Sequence, residues 1–221
     1  MVAIIDYDAG NVKSVEKAFR KIGQEACLTR DPDTILSADH VVLPGVGNFG
    51  DAMNNLKKYG MDEVIREVIK KETPFLGICV GMQVLFEGSE ESPEVPGLGI
   101  LKGYVKRFPR KDGMKIPQIG WNSIFMMNGG ELFRDIPNGS YVYFVHSFYC
   151  EDENINQVRA IAEYSTIYHA SVQKGKLFAT QFHPEKSGDL GLKILKNFIK
   201  PAEDEIPEKK GAGMVSLGGA S

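Results

Sequence analysis

The sequence predicts a single mixed α/β domain, with a parallel sheet flanked by helices in its first half and a largely antiparallel second half. Three observations carry this. Up to about residue 90, short apolar runs alternate with turns and amphipathic stretches, the pattern of strands joined by crossover helices. After about residue 96 the rhythm changes to successive β-type runs separated by Gly- or Asn-containing turns. The last periodic segment before a change in composition is helical.

Val2 to Tyr7 is the first apolar run, and Asp8-Ala9-Gly10-Asn11 turns the chain. Val12, Val15, Phe19 and Ile22 recur at helical spacing, with Gly23 as the stop. Glu25 to Thr29 and His40 to Leu43 read as the second and third strands, the latter broken by Pro44-Gly45-Val46-Gly47. Helical patterns cover about Asp51 to Tyr59 and Met61 to Lys71. Pro74 to Ile78 is a fourth buried strand, followed by a helix over Val80 to Glu87. Gly99 to Phe108, Ile116 to Ile124, Tyr141 to Tyr149, Val158 to Tyr164 and His169 to Phe182 are the strands of the second half, with a hairpin signal at Gln173-Lys174-Gly175-Lys176. A closing amphipathic helix runs from about Leu190 to Lys200, with Asp189 as a candidate N-cap. Residues 1–200 are therefore expected to form the domain. Pro201 to Ser221, rich in Glu, Lys, Gly and Ala and without a period, reads as a flexible C-terminal tail.

Composition narrows the function classes. Twenty-six Lys plus Arg against 29 Asp plus Glu leave a formal charge of −3, so there is no basic excess for a nucleic-acid backbone. The start lacks the basic flank and long apolar core of a signal peptide. The longest uncharged runs, such as Thr73 to Phe86, fall short of the roughly 20 apolar residues a membrane span needs. Cys27, Cys79 and Cys150 are an odd number without C-x-x-C spacing, which suggests neither a disulfide framework nor a zinc cluster. These features fit a soluble, cytoplasmic protein of a reducing compartment, with no membrane or nucleic-acid partner.

The strongest chemical signal is Phe75-Leu76-Gly77-Ile78-Cys79-Val80-Gly81-Met82-Gln83. A buried strand enters a helix with Cys79 at the junction and glycines two residues to either side, a G-x-nucleophile-x-G elbow with Cys in the nucleophile slot. The helix N-terminus favours thiolate, and the Val80 N–H points where an oxyanion would form. Taken alone, the same residues also fit a small buried thiol between packing glycines. A second group, Phe178 to Glu185, places His183 and Glu185 two apart at a strand end, where period two puts both side chains on one side. Imidazole beside carboxylate matches a general base and the group that orients it, or a plain surface pair. No third ligand at a familiar spacing supports a metal site. The third piece, Pro44 to Gly50, carries three glycines in six residues, enough to turn backbone N–H groups toward a ligand or simply to turn the chain.

Together these motifs resemble the class I, triad-type glutamine amidotransferases, whose fold is a flavodoxin-like α/β sandwich. The narrower similarity is to the glutaminase subunits of the histidine branch. It rests on Asp6-Tyr7-Asp8-Ala9-Gly10-Asn11, Leu43-Pro44-Gly45-Val46-Gly47, Pro74 to Cys79, Gly120-Trp121-Asn122, Tyr143 to Tyr149 and Gln181 to Ser187, and covers about residues 2 to 200. The Pro-Gly-Val-Gly loop separates it from the Pro-Gly-Gly-Pro of anthranilate and GMP systems and the Gly-Gly-Glu-Ser of pyridoxal phosphate systems.

The resemblance implies Cys79 as nucleophile, His183 as base and acid, and Glu185 as the group fixing the imidazole tautomer. It implies an oxyanion hole from the Val80 N–H and an N–H of the Val46-Gly47 segment, the latter after reorientation. Gly47, Gln83, Glu91, His146 and Ser147 would line the glutamine pocket. The implied partner is a separate (β/α)8-barrel cyclase that takes the ammonia to make imidazole glycerol phosphate and an aminoimidazole carboxamide ribonucleotide. Asn11, Trp121 and Lys186 match positions near its docking face. No cofactor and no metal are implied. A silent regulatory subunit would not need the three triad residues, and a redox sensor would not need His183 and Glu185. Asp8 departs from the glycine common in relatives, and Cys27 and Cys150 match no functional position and are expected to be structural.

Overall fold

The computed structural model describes residues 1–10 and 12–200. The expected tail and Asn11 therefore lie outside the described residues. Four short parallel strands open the domain: β1 (Val2–Ile5), β2 (Ala26–Thr29), β3 (His40–Leu43) and β4 (Phe75–Ile78). β1 and β4 are buried along their whole length, as strands covered on both faces must be. Between them lie α1 (Val12–Lys21), α2 (Pro32–Leu36), α3 (Phe49–Lys58) and α4 (Met61–Lys70). α1 stops at Gly23, whose φ of +79° ends the helix in the left-handed region that glycine enters without a Cβ clash. α2 is not among the expected elements. Its signal is local: the Asp31 carboxylate accepts from Thr34 N at 3.0 Å, and Pro32 occupies the first turn.

The second half comprises β5 (Gly103–Arg107), β6 (Gln118–Met126), β7 (Ser140–His146), β8 (Phe148–Asp152), β9 (Val158–Tyr164), β10 (Thr166–Lys174) and β11 (Leu177–Thr180). The run from Tyr141 to Tyr149 is two strands broken at Ser147, and His169 to Phe182 is a hairpin turning at Gly175, φ +57°. The sheet order is β2-β1-β3-β4-β11-β10-β9-β6-β7, with β8 pairing β10 and β5. β11 is the hinge of this mixed sheet, parallel to β4 and antiparallel to β10.

Two expected helices differ from the sequence. The helix after Cys79, α5, spans only Val80–Gln83. The carbonyls of Val84, Leu85 and Phe86 are taken by N–H groups of residues 98 to 101 rather than by a continuing helix. The final helix, α6, runs Gly188–Ile199 with Ser187, not Asp189, at the cap position. The Ser187 hydroxyl instead donates to His183 O at 2.6 Å and accepts from Tyr143 N at 3.0 Å. Asp189 lies in the first helical turn, where a negative charge suits the helix dipole.

Asp8 has φ +65°, the conformation for which glycine is best suited. Its carboxylate accepts from Arg30 Nη2 at 2.9 Å and from the Tyr59 hydroxyl, and these hydrogen bonds hold its pKa below the usual range. These are side-chain contacts that the glycine expected at this turn could not make.

The junction around Cys79 is closed by three glycines whose neighbours are backbone. A Cβ on Gly81 would stand 2.0 Å from Leu43 O, one on Gly77 2.7 Å from Gly81 O, and one on Gly45 2.5 Å from Gly81 N. Gly81→Ala must therefore force β3 away from α5. We expect roughly 3 kcal/mol of destabilisation in urea unfolding, against almost none for alanine at an exposed, helical position such as Lys57.

Candidate active site

Three loops leave the C-terminal ends of the adjacent parallel strands β3, β4 and β11 and meet in one cleft of about 330 Å³. Such strand ends are where open α/β sheets hold ligands. β3 delivers Val46 and Gly47, β4 delivers Cys79 and Val80, and the chain beyond β11 delivers His183. Gln83, Glu91, His146, Ser147 and Lys186 line the same cleft. The pocket residues expected from the sequence are brought together by elements far apart in the chain.

Cys79 has φ +54° and ψ −109°, an uncommon conformation for a residue with a Cβ. Its N–H donates to Thr180 O at 2.7 Å, and its carbonyl accepts from Met82 and Gln83 N–H. The bend turns the side chain off the strand toward the cleft, as the elbow requires. Because α5 is only four residues long, a helix macrodipole of the expected kind is not available. What remains is local: the Val80 N–H has no hydrogen-bond partner among the described residues and stands beside the sulfur's residue.

His183 and Glu185 are paired, though not by strand geometry. β11 ends at Thr180, and Pro184–Lys186 is a 3-10 turn, so the pair spans a turn rather than one face of a strand. His183 Nδ1 lies 2.8 Å from Glu185 Oε1, with both side chains almost wholly buried. The carboxylate accepts from Nδ1–H, which leaves Nε2 as the working nitrogen. Nε2 is buried without a hydrogen-bond partner among the described residues. Burial disfavours the imidazolium, but the neighbouring Cys79 sulfur and the bond to Glu185 outweigh it and push the His183 pKa up. The backbone of His183 is fixed by its N–H to Tyr143 O at 2.9 Å.

The pocket walls are rich in acceptors. His146 Nδ1 donates to Phe148 O at 2.8 Å, so its Nε2 is bare and has no partner among the described residues. Burial pushes its pKa down to about 4, so the ring is neutral at pH 7. Glu91 Oε2 accepts from Phe49 N–H at 2.8 Å, which pins the carboxylate to the start of α3. Gln83 Nε2 donates inward to Phe148 O at 3.1 Å and to Gln181 Oε1 at 3.2 Å, leaving its own oxygen as the free end.

Trp121 is exposed on β6, edge-on to Tyr143 with ring centroids 6.2 Å apart, and Lys186 Nζ lies 5.8 Å from the Tyr143 ring centre. Lys186 reaches the cleft and Trp121 does not. Asn11, expected beside them, lies outside the described residues.

Two residues had no expected role. Tyr7 is buried and donates to Pro44 O at 2.8 Å, anchoring the loop after β3. Gln181 is wholly buried and donates to Cys79 Sγ at 3.6 Å. A lone amide in the apolar run Phe178 to Phe182 and an aromatic at the end of β1 were the available signals. Cys150 is buried and donates to Gln181 Oε1 at 3.9 Å, while Cys27 contacts Met1; neither lines the cleft. Among the described residues no group of three or more His, Cys, Asp or Glu could hold a metal ion, and no helix is long and apolar enough to cross a membrane.

Residues 3–202 match the family model described as glutamine amidotransferase class-I. The chain is 48% identical over 202 residues to the imidazole glycerol phosphate synthase subunit HisH of Dehalococcoides mccartyi strain CBDB1, covering 91% of this chain and 98% of that protein. It is 47% identical over 203 residues to HisH 1 of Methanococcus maripaludis, covering 90% and 99%. A crystal structure of a glutamine amidotransferase superposes with a TM-score of 0.70 at 19% identity, covering 90% of this chain and all of the other, a likeness of fold. With cysteine and imidazole lining one cleft and a carboxylate bonded to that imidazole, and with these relatives matched along nearly their whole length, the chain belongs to the class-I glutamine amidotransferases and, among them, to the family of imidazole glycerol phosphate synthase HisH subunits.

Proposed function

We propose that the chain hydrolyses L-glutamine to L-glutamate and ammonia through a thioester on Cys79 and passes the ammonia to a separate cyclase subunit. The observation that carries this is the convergence in a single cleft of Cys79, on its strained elbow, and His183, whose Nδ1 is bonded behind the cleft to the buried Glu185.

His183 Nε2 takes the Cys79 thiol proton, and the thiolate attacks the side-chain carboxamide carbon of glutamine. The oxyanion forms beside the Val80 N–H. The imidazolium returns its proton to the nitrogen, ammonia leaves, and the acyl group stays on sulfur. His183 then deprotonates water, which attacks the thioester, and the proton returns to sulfur as glutamate departs. Glu185 accepts from Nδ1–H throughout and holds the imidazole in that tautomer.

A second oxyanion donor comes from the Val46-Gly47 segment after reorientation. Its preconditions are visible upstream: Pro44 O is held by Tyr7, and Gly45 is wedged against Gly81 and Val80. Gly47 has φ +99°, and a Cβ there would meet nothing within 4 Å. These contacts favour a reorientation limited to the residues that carry the donor. The free oxygen of Gln83, Glu91 and the bare His146 Nε2 are acceptors suited to the amino and amide groups of glutamine.

The relatives are subunits of imidazole glycerol phosphate synthase. By extension, the recipient is a (β/α)8-barrel cyclase that forms imidazole glycerol phosphate and an aminoimidazole carboxamide ribonucleotide in histidine biosynthesis. Exposed Trp121, with Lys186 at the rim of the cleft, would face it, together with Asn11.

Glutamate release measured for the chain alone and with the cyclase and its nucleotide tests this directly. Activity should need the liganded partner and vanish in Cys79→Ala, while cyclisation with added ammonia continues. Glutamate release surviving in Cys79→Ala would remove the thioester route. Glu185→Gln should lower kcat roughly 10³- to 10⁴-fold, because the amide no longer enforces the required tautomer or supports the imidazolium. A pH test concerns His146. Its folded pKa is depressed to about 4, so its contribution is fully present above the unfolded value of about 6.5 and is lost as pH falls toward 4. Between pH 7 and pH 4.5 this group should cost the folded state roughly 2–3 kcal/mol. Urea unfolding of His146→Phe at the two pH values should lack that component.

A further inference from the structure

We propose that Gln181 is a second partner of the nucleophile, its side-chain N–H stabilising the Cys79 sulfur as a thiolate and holding it in the cleft from the side away from bulk water. This deepens the glutaminase reading and rests on it for its catalytic meaning. The geometry stands independently.

The orientation of the Gln181 amide follows from a chain of single-valued hydrogen bonds. The Phe148 carbonyl only accepts, so the Gln83 atom 3.1 Å from it is the amide nitrogen. That nitrogen also reaches Gln181 at 3.2 Å, so the Gln181 atom facing it is the oxygen. The nitrogen of Gln181 is then the atom 3.6 Å from Cys79 Sγ, and it donates. Cys150 supports the same sense. Burial and the nearby Cys79 charge push its thiol pKa well up, so it stays protonated and offers its S–H to Gln181 Oε1 at 3.9 Å. Gln181 is wholly buried, and its backbone N–H is anchored to Ala170 O at 2.9 Å, so the donor is already in place before any substrate arrives.

The placement fills a need the short helix leaves open. With α5 only four residues long, little helix dipole falls on the sulfur, and a neutral donor in a water-poor site is an effective substitute. The same chain joins the pocket to the nucleophile, because Gln83 lines the cleft and touches Gln181 directly.

The test is the pH dependence of Cys79 alkylation by iodoacetamide, followed by mass spectrometry of the Cys79 peptide in the full chain without partner or glutamine. Gln181→Met keeps the shape and removes the donor. Gln181→Glu keeps the shape and places a carboxyl group beside the sulfur. Both should move the alkylation profile to higher pH, Gln181→Met by about one unit. In the complex with the cyclase, kcat for glutamate release should fall roughly ten-fold with KM little changed. In the unaltered chain, the Gln181 side-chain NH₂ resonances should shift as the Cys79 thiol titrates and stop doing so in Cys79→Ala. Profiles that coincide with the unaltered chain's, or NH₂ resonances insensitive to Cys79, would reduce Gln181 to a packing residue and overturn the proposal. If the unaltered complex released no glutamate, the glutaminase reading would fall while the alkylation and resonance shifts still decided the role of Gln181.

Discussion

Much of the molecule depends on the close approach of three backbones around Cys79. A cysteine at φ +54° is strained, and nothing intrinsic to the residue keeps it there. It is held because Gly77, Gly81 and Gly45 let β4, α5 and the loop after β3 come nearer than any side chain permits, and because Thr180 O captures the Cys79 N–H. The strain has a use. It turns the sulfur off the line of the strand and leaves the Val80 N–H unspent.

The same junction organises the charges. The Cys79 sulfur lies among His183, supported by Glu185, the donor end of Gln181, and the neutral ring of His146. Burial opposes charge at each histidine, yet the outcomes differ. His183 is drawn toward imidazolium by opposite charges on two sides, whereas His146 gives its only held proton to a neutral carbonyl and stays uncharged. Two imidazoles in one cleft are therefore pushed in opposite directions by their second partners.

The parallel half was legible because buried strands and amphipathic helices differ in period, and His40–Leu43 falls where expected. The Gly-x-Cys-x-Gly elbow was legible as a strand-to-helix junction, though its glycines alone fitted a packed structural thiol equally well. α2 escaped notice because its evidence is a cap and a proline over five residues rather than a periodic face. The overlong helix after Cys79 followed from reading Val84 to Phe86 as helical, when their carbonyls are claimed by a segment about fifteen residues later. His183 and Glu185 were paired correctly by an incorrect route: a turn at Pro184, not strand alternation, brings them together. Gln181 lay within a recognised motif, but its role depends on four hydrogen-bonding groups from separate strands and loops, which no local pattern encodes.

The position of β11 has a consequence for how the chain acquires its chemistry. β4 has β11 as its neighbour on one side, register-matched from Phe75–Leu177 to Ile78–Thr180, and β11 comes about a hundred residues later in the chain. During synthesis Cys79 leaves the ribosome long before His183, and β4 keeps one edge unpaired until almost the whole domain has emerged. The Cys79 N–H has no Thr180 carbonyl to meet until then. An unfinished chain thus has the thiol but neither the hydrogen bond that holds its elbow nor the imidazole, and the cleft is complete only when the last strand closes the sheet.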